Sequence, residues 1–492
     1  MSNCFNLVDE PWIPVANAGR VGLADLFTCP DYLALGGNPV QKAAVMKLLQ
    51  AVVQAATTPR DLAEWQALGW QGMAERVRSY LARWHGRFYL YGERPFLQMP
   101  AIAPATIRGF GAIQPDVATG NTTVLTQRQA GRTLDDGGRA LLLLTQMGFA
   151  LGGKKTDNSV VLTPGYRGKS NDRGKPSTGR PGPSVAHLGM LHHYFLAPSL
   201  LESVWLNLFT EEDINGLTMY PNRLGQAPWE QMPEGEDCKT ARALKGSLMG
   251  RLIPLSRFCL LVDEGMHYSE GIAHDNYKEG IFDPSVAIDS SGKEARVYWA
   301  DPEQHPWREL NNLLGFIGKD PRACNCIQLR LALPKIDCLQ LPVAVWSGGL
   351  RVSSNAGEQY ASGADDMVES LCWLQPRHLK ECWLSDYRYE MDKLDKLARL
   401  LYGGVTSYFK IQLVEGTSYA RQASHLFWQR CEHHCRVLLD SCDDVAACQR
   451  LRQQFVLYAS QVFDQICPYH RPRQLDAWAR TKPDFAACLK KE

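Results

Sequence analysis

A 33-residue stretch from Gly152 to Ser184 constrains the fold most, because its composition cannot form part of a buried core. It holds seven glycines, four prolines and seven Lys or Arg residues, opposed only by Asp157 and Asp172. The whole chain has a formal net charge of +1, so this segment carries positive charge that the remainder balances. Two interpretations follow. The segment is either a disordered surface loop or a glycine-rich backbone that approaches a polyanion closely.

The rest of the composition is typical of a soluble protein with a large core. Hydrophobic residues make up 45% of the chain and charged residues 21%. No apolar run reaches the ~20 residues that span a bilayer, and the first residues lack the basic and apolar regions of a signal peptide. We therefore expect a cytoplasmic protein with no membrane partner.

The fifteen cysteines are odd in number and lack framework spacing, which predicts reduced thiols. Cys431 and Cys435 would share a helical face and offer a zinc site, but they continue an apolar stripe, so core packing is favoured. Cys324 and Cys326 lack a second pair at zinc-knuckle spacing. We expect no metal and no cofactor.

Apolar periodicity predicts an α+β fold in two parts. Residues 1–363 form a large mixed α/β N-terminal domain, with helices predicted at 40–56 and about 59–84. Strands are predicted at 258–262 and 327–333, and a turn at Trp346–Arg351.

Residues 364–492 have a different pattern, with apolar residues at helical spacing in four segments separated in places by glycine or proline. Gly403 and Gly404 are interpreted as one such break. The pattern predicts a C-terminal antiparallel four-helix bundle.

One stretch resembles a nucleotide-binding loop. Gly148–Lys154 matches G-x-x-x-x-G-K after the apolar run Leu141–Leu144. The next residue should be Ser or Thr to hold Mg²⁺, but it is Lys155. His192 and His193 lie in an apolar segment and are interpreted as partly buried structural residues. With no convergent catalytic cluster, the sequence favours a binding protein over an enzyme.

Several short motifs, in order along nearly the whole chain, resemble the CasA family, the large subunit of the type I-E CRISPR surveillance complex Cascade. These motifs are Asn6–Val15, Pro95–Gln98, Pro164–Gly168, Ser177–Val185, Gly348–Arg351, Arg421–Gln422 and Phe463–His470.

The resemblance implies a non-enzymatic subunit that reads the protospacer-adjacent motif (PAM) in duplex DNA, helps to separate the strands for R-loop formation and recruits a helicase–nuclease. The implied partners are the guide RNA, double-stranded target DNA, the helicase–nuclease, and the backbone, small and guide-processing subunits of Cascade. Two alternatives stay open: a nucleotide-dependent enzyme with a degenerate P-loop at 148–154, and an RNA-binding scaffold subunit.

The family's minor-groove loop matches a short glycine-containing segment. That groove is narrow and its code degenerate, so a glycine backbone enters where a side chain would clash. The residues that match this PAM loop are Gly165, Tyr166, Arg167, Gly168 and Lys169. The family's strand-separating wedge, which commonly contains glutamine, matches Ser353, Ser354, Asn355 and Ala356.

Three further expectations follow from the resemblance. A lysine that enters the minor groove matches Lys278. A loop that touches guide RNA or DNA matches Thr123–Arg132, with Gln127, Arg128 and Arg132 as the contacting residues. Some relatives hold cysteines before the lysine, but only Cys238 and Cys259 lie there, which again predicts no metal.

Lys154 and Lys155 fall outside the matched motifs. They are interpreted as a basic pair that steers DNA towards the loop.

Overall fold

The fold is known from a computed structural model, which describes a defined set of residues. These are 5–115, 131–153, 155–164, 166, 182, 184–186, 188–290, 292–318, 324–355, 358–361 and 364–489.

The described residues contain short strands in five small sheets. The strands are β1 (Ile13–Val15), β2 (Gly19–Val21), β3 (Ile107–Gly109), β4 (His192–Leu196), β5 (Arg257–Val262), β6 (Gly265–Glu270), β7 (Ala287–Asp289), β8 (Arg296–Val297), β9 (Asn325–Cys326), β10 (Val343–Leu350), β11 (Ser353–Asn355), β12 (Glu358–Tyr360) and β13 (Met367–Leu374). The sheet orders are β1-β2, β3-β6-β5, β13-β10-β4, β8-β7-β9 and β11-β12.

Helices make up much of the remainder. They are α1 (Leu23–Leu26), α2 (Pro39–Ala56), α3 (Leu62–Trp84), α4 (Phe110–Ile113), α5 (Asp136–Phe149), α6 (Leu200–Leu206), α7 (Glu211–Gly216), α8 (Lys239–Lys245), α9 (Met249–Leu252), α10 (Leu310–Leu313), α11 (Ile327–Leu339), α12 (Glu381–Ile411), α13 (Thr417–Glu432), α14 (Cys435–Ser441), α15 (Val445–Ile466) and α16 (Pro472–Thr481). Across the described ranges, none of these is both long enough and apolar enough to cross a bilayer.

The contacts divide the chain into two units. One contains residues 1–306 and 324–373, and the other contains 307–323 and 374–492. The division falls after Trp373 rather than after residue 363, because β13 pairs with β10 in the sheet of the first unit. The predicted mixture of helix and sheet is confirmed.

The core of the first unit is built around α2, which is buried on nearly every side. Asn38 caps its start, since the Asn38 side chain accepts from the Gln41 backbone N–H and the Gln41 side chain accepts in return. The helix predicted at 40–56 is thus confirmed. The helix predicted at about 59–84 begins at Leu62 and is interrupted at Gly69, whose φ is 61°.

Two predictions in the first unit are wrong. Trp346–Arg351 is not a turn, because it lies largely within the fully buried strand β10. A Cβ on Gly348 would lie 2.4 Å from a ring carbon of Trp346, so glycine serves close packing here rather than chain reversal. Residues 327–333 belong to helix α11 rather than to a strand, since Leu329, Ala332 and Ile336 are buried at helical spacing.

The second unit contains long amphipathic helices in the region where helical spacing predicted them. Helices α12, α13 and α15 pack against one another. The expected break at Gly403 and Gly404 is wrong, because α12 continues through both. A Cβ on Gly404 would lie 2.7 Å from Pro483, so this glycine allows close packing. The antiparallel four-helix arrangement itself stays a prediction.

His192 and His193 on β4 are fully buried rather than partly buried. The His192 ring lies 2.8 Å from Ser285 Oγ and 2.8 Å from the Ala186 carbonyl, and His193 Nδ1 lies 2.7 Å from Ser347 Oγ. Burial lowers the pKa of His192 to about 4 and that of His193 to about 3. Both histidines are structural, as the sequence predicted.

We expect the free energy of unfolding to fall as the pH is lowered from about 6.5, the ordinary histidine pKa, towards 4. In that window the unfolded chain binds protons at His192 and His193 and the folded chain does not. Each histidine therefore contributes stability that is fully present above pH 6.5 and is lost at about 1.4 kcal/mol per pH unit below it. Urea unfolding across this range measures the slope.

Two variants test whether the buried histidines cause this pH dependence. Replacing His193 with asparagine is expected to reduce the slope, whereas His470→Gln, at an exposed position, is expected to leave it unchanged. A free energy of unfolding that does not vary across the window contradicts the prediction.

Candidate nucleic-acid interface

The predicted DNA-contacting residues are only partly described. Lys155, Tyr166, Lys278, Arg132, Ser353 and Ser354 are described, as is the backbone of Asn355. The others, Gly165, Arg167, Gly168, Lys169, Ala356, Gln127, Arg128 and Lys154, lie outside the described residues.

The two ends of the basic segment Gly152–Ser184 lie together. The Ser184 N–H donates to the Ala150 carbonyl at 2.9 Å, and the Ser184 hydroxyl donates to the Gly148 carbonyl at 2.5 Å. Ala186 N–H also donates to Gly148, at 3.2 Å. The two ends of this segment are therefore adjacent in the first unit. We call the segment Gly152–Ser184 the basic loop.

A buried arginine joins both ends of the basic loop. Arg257, on β5, donates through Nη2 to the carbonyl of Gly182 and to that of Leu151 at 3.4 Å. Its Nη1 donates to the Ser256 carbonyl at 2.9 Å. One guanidinium, with several donors in a rigid plane, thus holds the start and the end of the loop.

A buried carboxylate holds the part of the basic loop that precedes the matched PAM motif. Glu236 accepts from the Leu162 N–H at 3.2 Å and from the Thr163 N–H at 2.8 Å. Tyr166 N–H then donates to the Thr163 carbonyl at 3.2 Å. Burial, followed by the negative charges of Glu270 and Glu236, raises the pKa of Tyr166, so its phenol is neutral.

Asp157, one of the two acidic residues in the basic loop, has a local structural role. It accepts from the N–H and hydroxyl of Thr106, at 2.8 and 2.7 Å, and from those of Ser159, at 2.9 and 2.6 Å. Burial raises the pKa of Asp157, but these four donors outweigh it and the net shift is downward. Nearby, Arg108 Nε donates to the Lys155 carbonyl at 2.8 Å.

Three of the four predicted wedge residues, Ser353–Asn355, form one strand of a two-stranded sheet that we call the hairpin. Strand β11 pairs antiparallel with β12, with Ser353 opposite Tyr360 and Ser354 opposite Gln359. Arg351 orients the base of the hairpin, because its N–H donates to the Asp366 carbonyl and its Nε donates to the Asp366 carboxylate at 2.7 Å.

This hairpin is hydrogen-bonded to the start of the basic loop. The Gln359 N–H donates to the Gly152 carbonyl at 3.1 Å, and the Gly152 N–H donates to Gln359 Oε1 at 3.0 Å. The structure therefore brings together two segments that the sequence associated with DNA, although 201 residues separate Gly152 from Ser353.

Lys278 lies on a second surface that adjoins the hairpin. It is exposed, and its N–H donates to Asn276 Oδ1 at 2.8 Å. The ring of the preceding Tyr277 meets that of Trp299 edge-on, with centroids 6.4 Å apart. Trp299 and Val352, which precedes β11, both lie against Gly189.

Arg132 has a different set of neighbours. It donates to Gln114 Oε1 at 2.7 Å and lines a cavity of about 120 Å³ with Arg20, Asn38 and Leu141.

Other expectations concern metals and nucleotides. Within the described ranges, no three His, Cys, Asp or Glu side chains are grouped to hold a metal ion. Cys238 caps α8, Cys259 is buried on β5, and burial raises the pKa of the Cys259 and Cys431 thiols. The alternative of a degenerate P-loop at 148–154 is contradicted, because Leu141–Leu144 and Gly148 lie within helix α5, whereas a P-loop follows a strand.

Arg257, Glu236 and Gln359 were missed by sequence reasoning. Each lies 73 or more residues from the loop residue that it holds. Local sequence offers no signal for such partners, except that a charged residue at the start of an apolar strand, as at Arg257, must find a partner when it is buried.

The fold and this arrangement define a class of protein: a large mixed helix-and-sheet protein in which the start of a basic loop is hydrogen-bonded to a β-hairpin. The chain belongs to the CRISPR-associated protein Cse1 family, whose model matches residues 6–462. The predicted family is thereby confirmed.

Similar proteins have the same family name. A CasA/Cse1 protein of Thermus thermophilus is 29% identical over 332 residues, a match that spans 60% of this chain and 59% of the relative. The crystal structure of Thermus thermophilus CasA has a TM-score of 0.74 at 19% identity and covers 99% of both chains. Thermobifida fusca Cse1 has a TM-score of 0.75 at 19% identity, covering 99% of this chain and 97% of that one.

A further structure, of a CRISPR RNA-guided surveillance complex, contains a chain with a TM-score of 0.72 at 16% identity, with 99% of both chains covered. At these identities the structural likenesses show the fold.

Proposed function

We propose that this chain is the large subunit of a type I-E Cascade surveillance complex and that it reads the PAM in duplex DNA. The observation that supports the proposal is the pair of hydrogen bonds between Gly152 and Gln359, which joins the start of the basic loop to the hairpin that contains the predicted wedge residues. Membership of the Cse1 family supports the same assignment, since one similar chain belongs to an RNA-guided surveillance complex.

In this proposal the basic loop presents the backbone of Gly165 and Gly168 to the minor groove beside the motif. Arg167 and Lys169 contact phosphates or the groove wall. Anchors such as Glu236 fix the residues before this segment, so less conformational freedom is lost on binding. Lys154 and Lys155 add positive charge that attracts DNA.

The hairpin then acts where the strands separate. Ser353, Ser354, Asn355 and Ala356 enter beside the motif, and Lys278 lies in the minor groove on the adjoining surface. Pairing with the guide RNA takes over sequence reading once the duplex is open. Gln127, Arg128 and Arg132 contact the guide or the DNA.

The proposed partners are the guide RNA, target DNA, the backbone, small and guide-processing subunits, and a helicase–nuclease recruited in trans. The second unit is proposed to be an antiparallel four-helix bundle that faces neighbouring subunits. The chain acts by binding rather than by catalysis, and it acts in the cytoplasm.

The assembled complex with its guide tests this function. Two duplexes that differ only in the bases beside the target should compete unequally for it. Equal competition favours the second candidate, an RNA-binding scaffold whose basic loop contacts the guide.

Replacing Gly168 with aspartate is expected to weaken motif-dependent binding by roughly tenfold to a hundredfold, because a new carboxylate would face the phosphates. Filter binding at fixed salt measures this, and assembly of the complex should be unaffected. A matched control is Gly403→Asp, which adds the same charge at an exposed position where a Cβ meets nothing within 4 Å. Equal affinity of the two variants contradicts the loop assignment.

A further inference from the structure

Trp299 is exposed to solvent, and backbone hydrogen bonds hold the residues on either side of it. Trp299 is 50% exposed, and among the described residues it is the only tryptophan exposed to this extent. The backbone is held on both sides, since Leu191 N–H donates to the Tyr298 carbonyl at 2.9 Å and Ala300 N–H donates to the Gly189 carbonyl at 2.8 Å. The indole is thus an apolar surface in a defined position.

The neighbours of Trp299 connect the two surfaces described above. Tyr277 supports the indole edge-on, at an interplanar angle of 73°. A Cβ on Gly189, whose φ is +85°, would lie 3.6 Å from the indole and 3.3 Å from Val352 Cβ. Trp299 therefore lies between Tyr277, which precedes Lys278, and Val352, which precedes the hairpin.

An exposed lysine lies close to Trp299. Lys278 is exposed next to Tyr277. The carboxylate that follows Lys278 and the one closest in sequence to Trp299 both accept local hydrogen bonds: Glu279 accepts from the Asn276 N–H at 2.6 Å, and Asp301 accepts from the Glu303 N–H at 3.0 Å. An aromatic face beside a lysine is the combination that binds single-stranded nucleic acid.

We propose that Trp299 is a stacking platform for an unpaired nucleobase of the opened DNA, next to the hairpin. This inference rests on the proposed function, because strand separation by the hairpin supplies the unpaired base. Stacking on the indole accepts any base, since every base has a π-face. Trp299 would therefore favour the open state without changing which motif is read.

The assembled complex is tested with two target DNAs, one fully paired and one with a mismatched bubble beside the motif that contains 2-aminopurine. Trp299→Ala is expected to weaken binding to the bubble DNA by roughly 5- to 150-fold, the range for loss of one stacked base. Trp299→Phe should retain most of the affinity. The wild-type complex should quench the 2-aminopurine, and the alanine variant should not.

A matched control is Tyr402→Ala, which removes another exposed aromatic side chain, from α12. The variant should bind both DNAs as the wild type does. Equal bubble affinity and equal quenching for Trp299→Ala overturn the proposal, and so does loss of the subunit from the complex, which would make Trp299 a protein contact.

Failure of the proposed function is measured separately, in the competition between two paired duplexes that differ only beside the target. If the proposed function is wrong, the complex shows no preference between those duplexes, whereas the stacking proposal is judged on the bubble DNA alone.

Discussion

Replacing Arg257 with methionine is expected to lower both the stability of the subunit and its motif-dependent DNA binding. Methionine keeps most of the side-chain volume but leaves the carbonyls of Leu151 and Gly182 without their charged donor. The variant also removes the donor to the Ser256 carbonyl, and Leu151 and Ser256 are buried, whereas Gly182 is exposed. Each buried acceptor that loses its partner costs about 1–3 kcal/mol, so the free energy of unfolding should fall by roughly 2–4 kcal/mol. Because the two ends of the basic loop are then less firmly joined, motif-dependent affinity should fall roughly tenfold or more.

Urea unfolding of the subunit and binding titrations on the assembled complex measure these effects. Arg257→Lys should be intermediate, because one ammonium lacks the planar set of donors that reaches both carbonyls. Arg242→Met is the control for loss of a surface arginine, since Arg242 is largely exposed and pairs with Asp237 at 3.1 Å. If Arg257→Met is destabilised but binds the motif as tightly as the wild type, then Arg257 does not position the loop.

Helices were predictable where their burial pattern is local. The helix α2 and the long helices of the second unit follow from apolar residues at a period near 3.6, which the sequence displays directly. The predicted strand at 258–262 is confirmed within β5. These elements depend on their own residues more than on their neighbours.

Glycines were the main source of error in the predicted secondary structure. At Gly348, Gly349 and Gly404 the sequence was interpreted as a turn or a helix break, but each lies within a regular element where a Cβ would collide with a neighbour. A Cβ on Gly349, for example, would lie 2.8 Å from the Met190 carbonyl. Whether a glycine serves a turn or a close approach depends on the partner chain segment, which the sequence does not display.

The same limit applies to the candidate site. Composition singled out the basic loop, and the order of the motifs singled out the predicted wedge residues. Neither signal could show that the two segments are neighbours. The contact between them depends on Gln359, whose partner Gly152 is 207 residues away, and the two ends of the loop are joined by Arg257, which is 75 residues from Gly182. Trp299 also gives no signal in the sequence, since its exposure follows from how the segment packs against Gly189.

Replacing Lys47 with methionine is expected to destabilise the first unit strongly. The Lys47 ammonium forms an ion pair with Asp283 and donates to the Arg251 carbonyl at 2.9 Å. The two side chains of the pair are 2% and 0% exposed. Burial raises the pKa of Asp283, but Lys47 and nearby donors outweigh it and bring the value to about 2. Methionine would leave a buried carboxylate without its counter-ion, at a cost of about 3–5 kcal/mol.

A double-mutant cycle in urea unfolding isolates the ion pair. Asparagine at 283 still offers an oxygen to Ser285, whose N–H and hydroxyl donate to Asp283 at 3.0 and 2.7 Å. Lys47→Met combined with Asp283→Asn should therefore regain much of the stability that Lys47→Met loses. The exposed pair Arg436–Asp440, at 2.8 Å, is the control, and Arg436→Met should cost about 1 kcal/mol or less.

The position of Asp283 explains why this core pair should affect DNA binding. Asp283 fixes Ser285, which contacts His192, and His192 contacts the Ala186 carbonyl just after the end of the basic loop. Lys47→Met should therefore weaken motif-dependent binding at temperatures where the subunit is still folded, and the double variant should restore it. If Lys47→Met costs no more than Arg436→Met, or if binding is restored without stability, the pair does not support the loop.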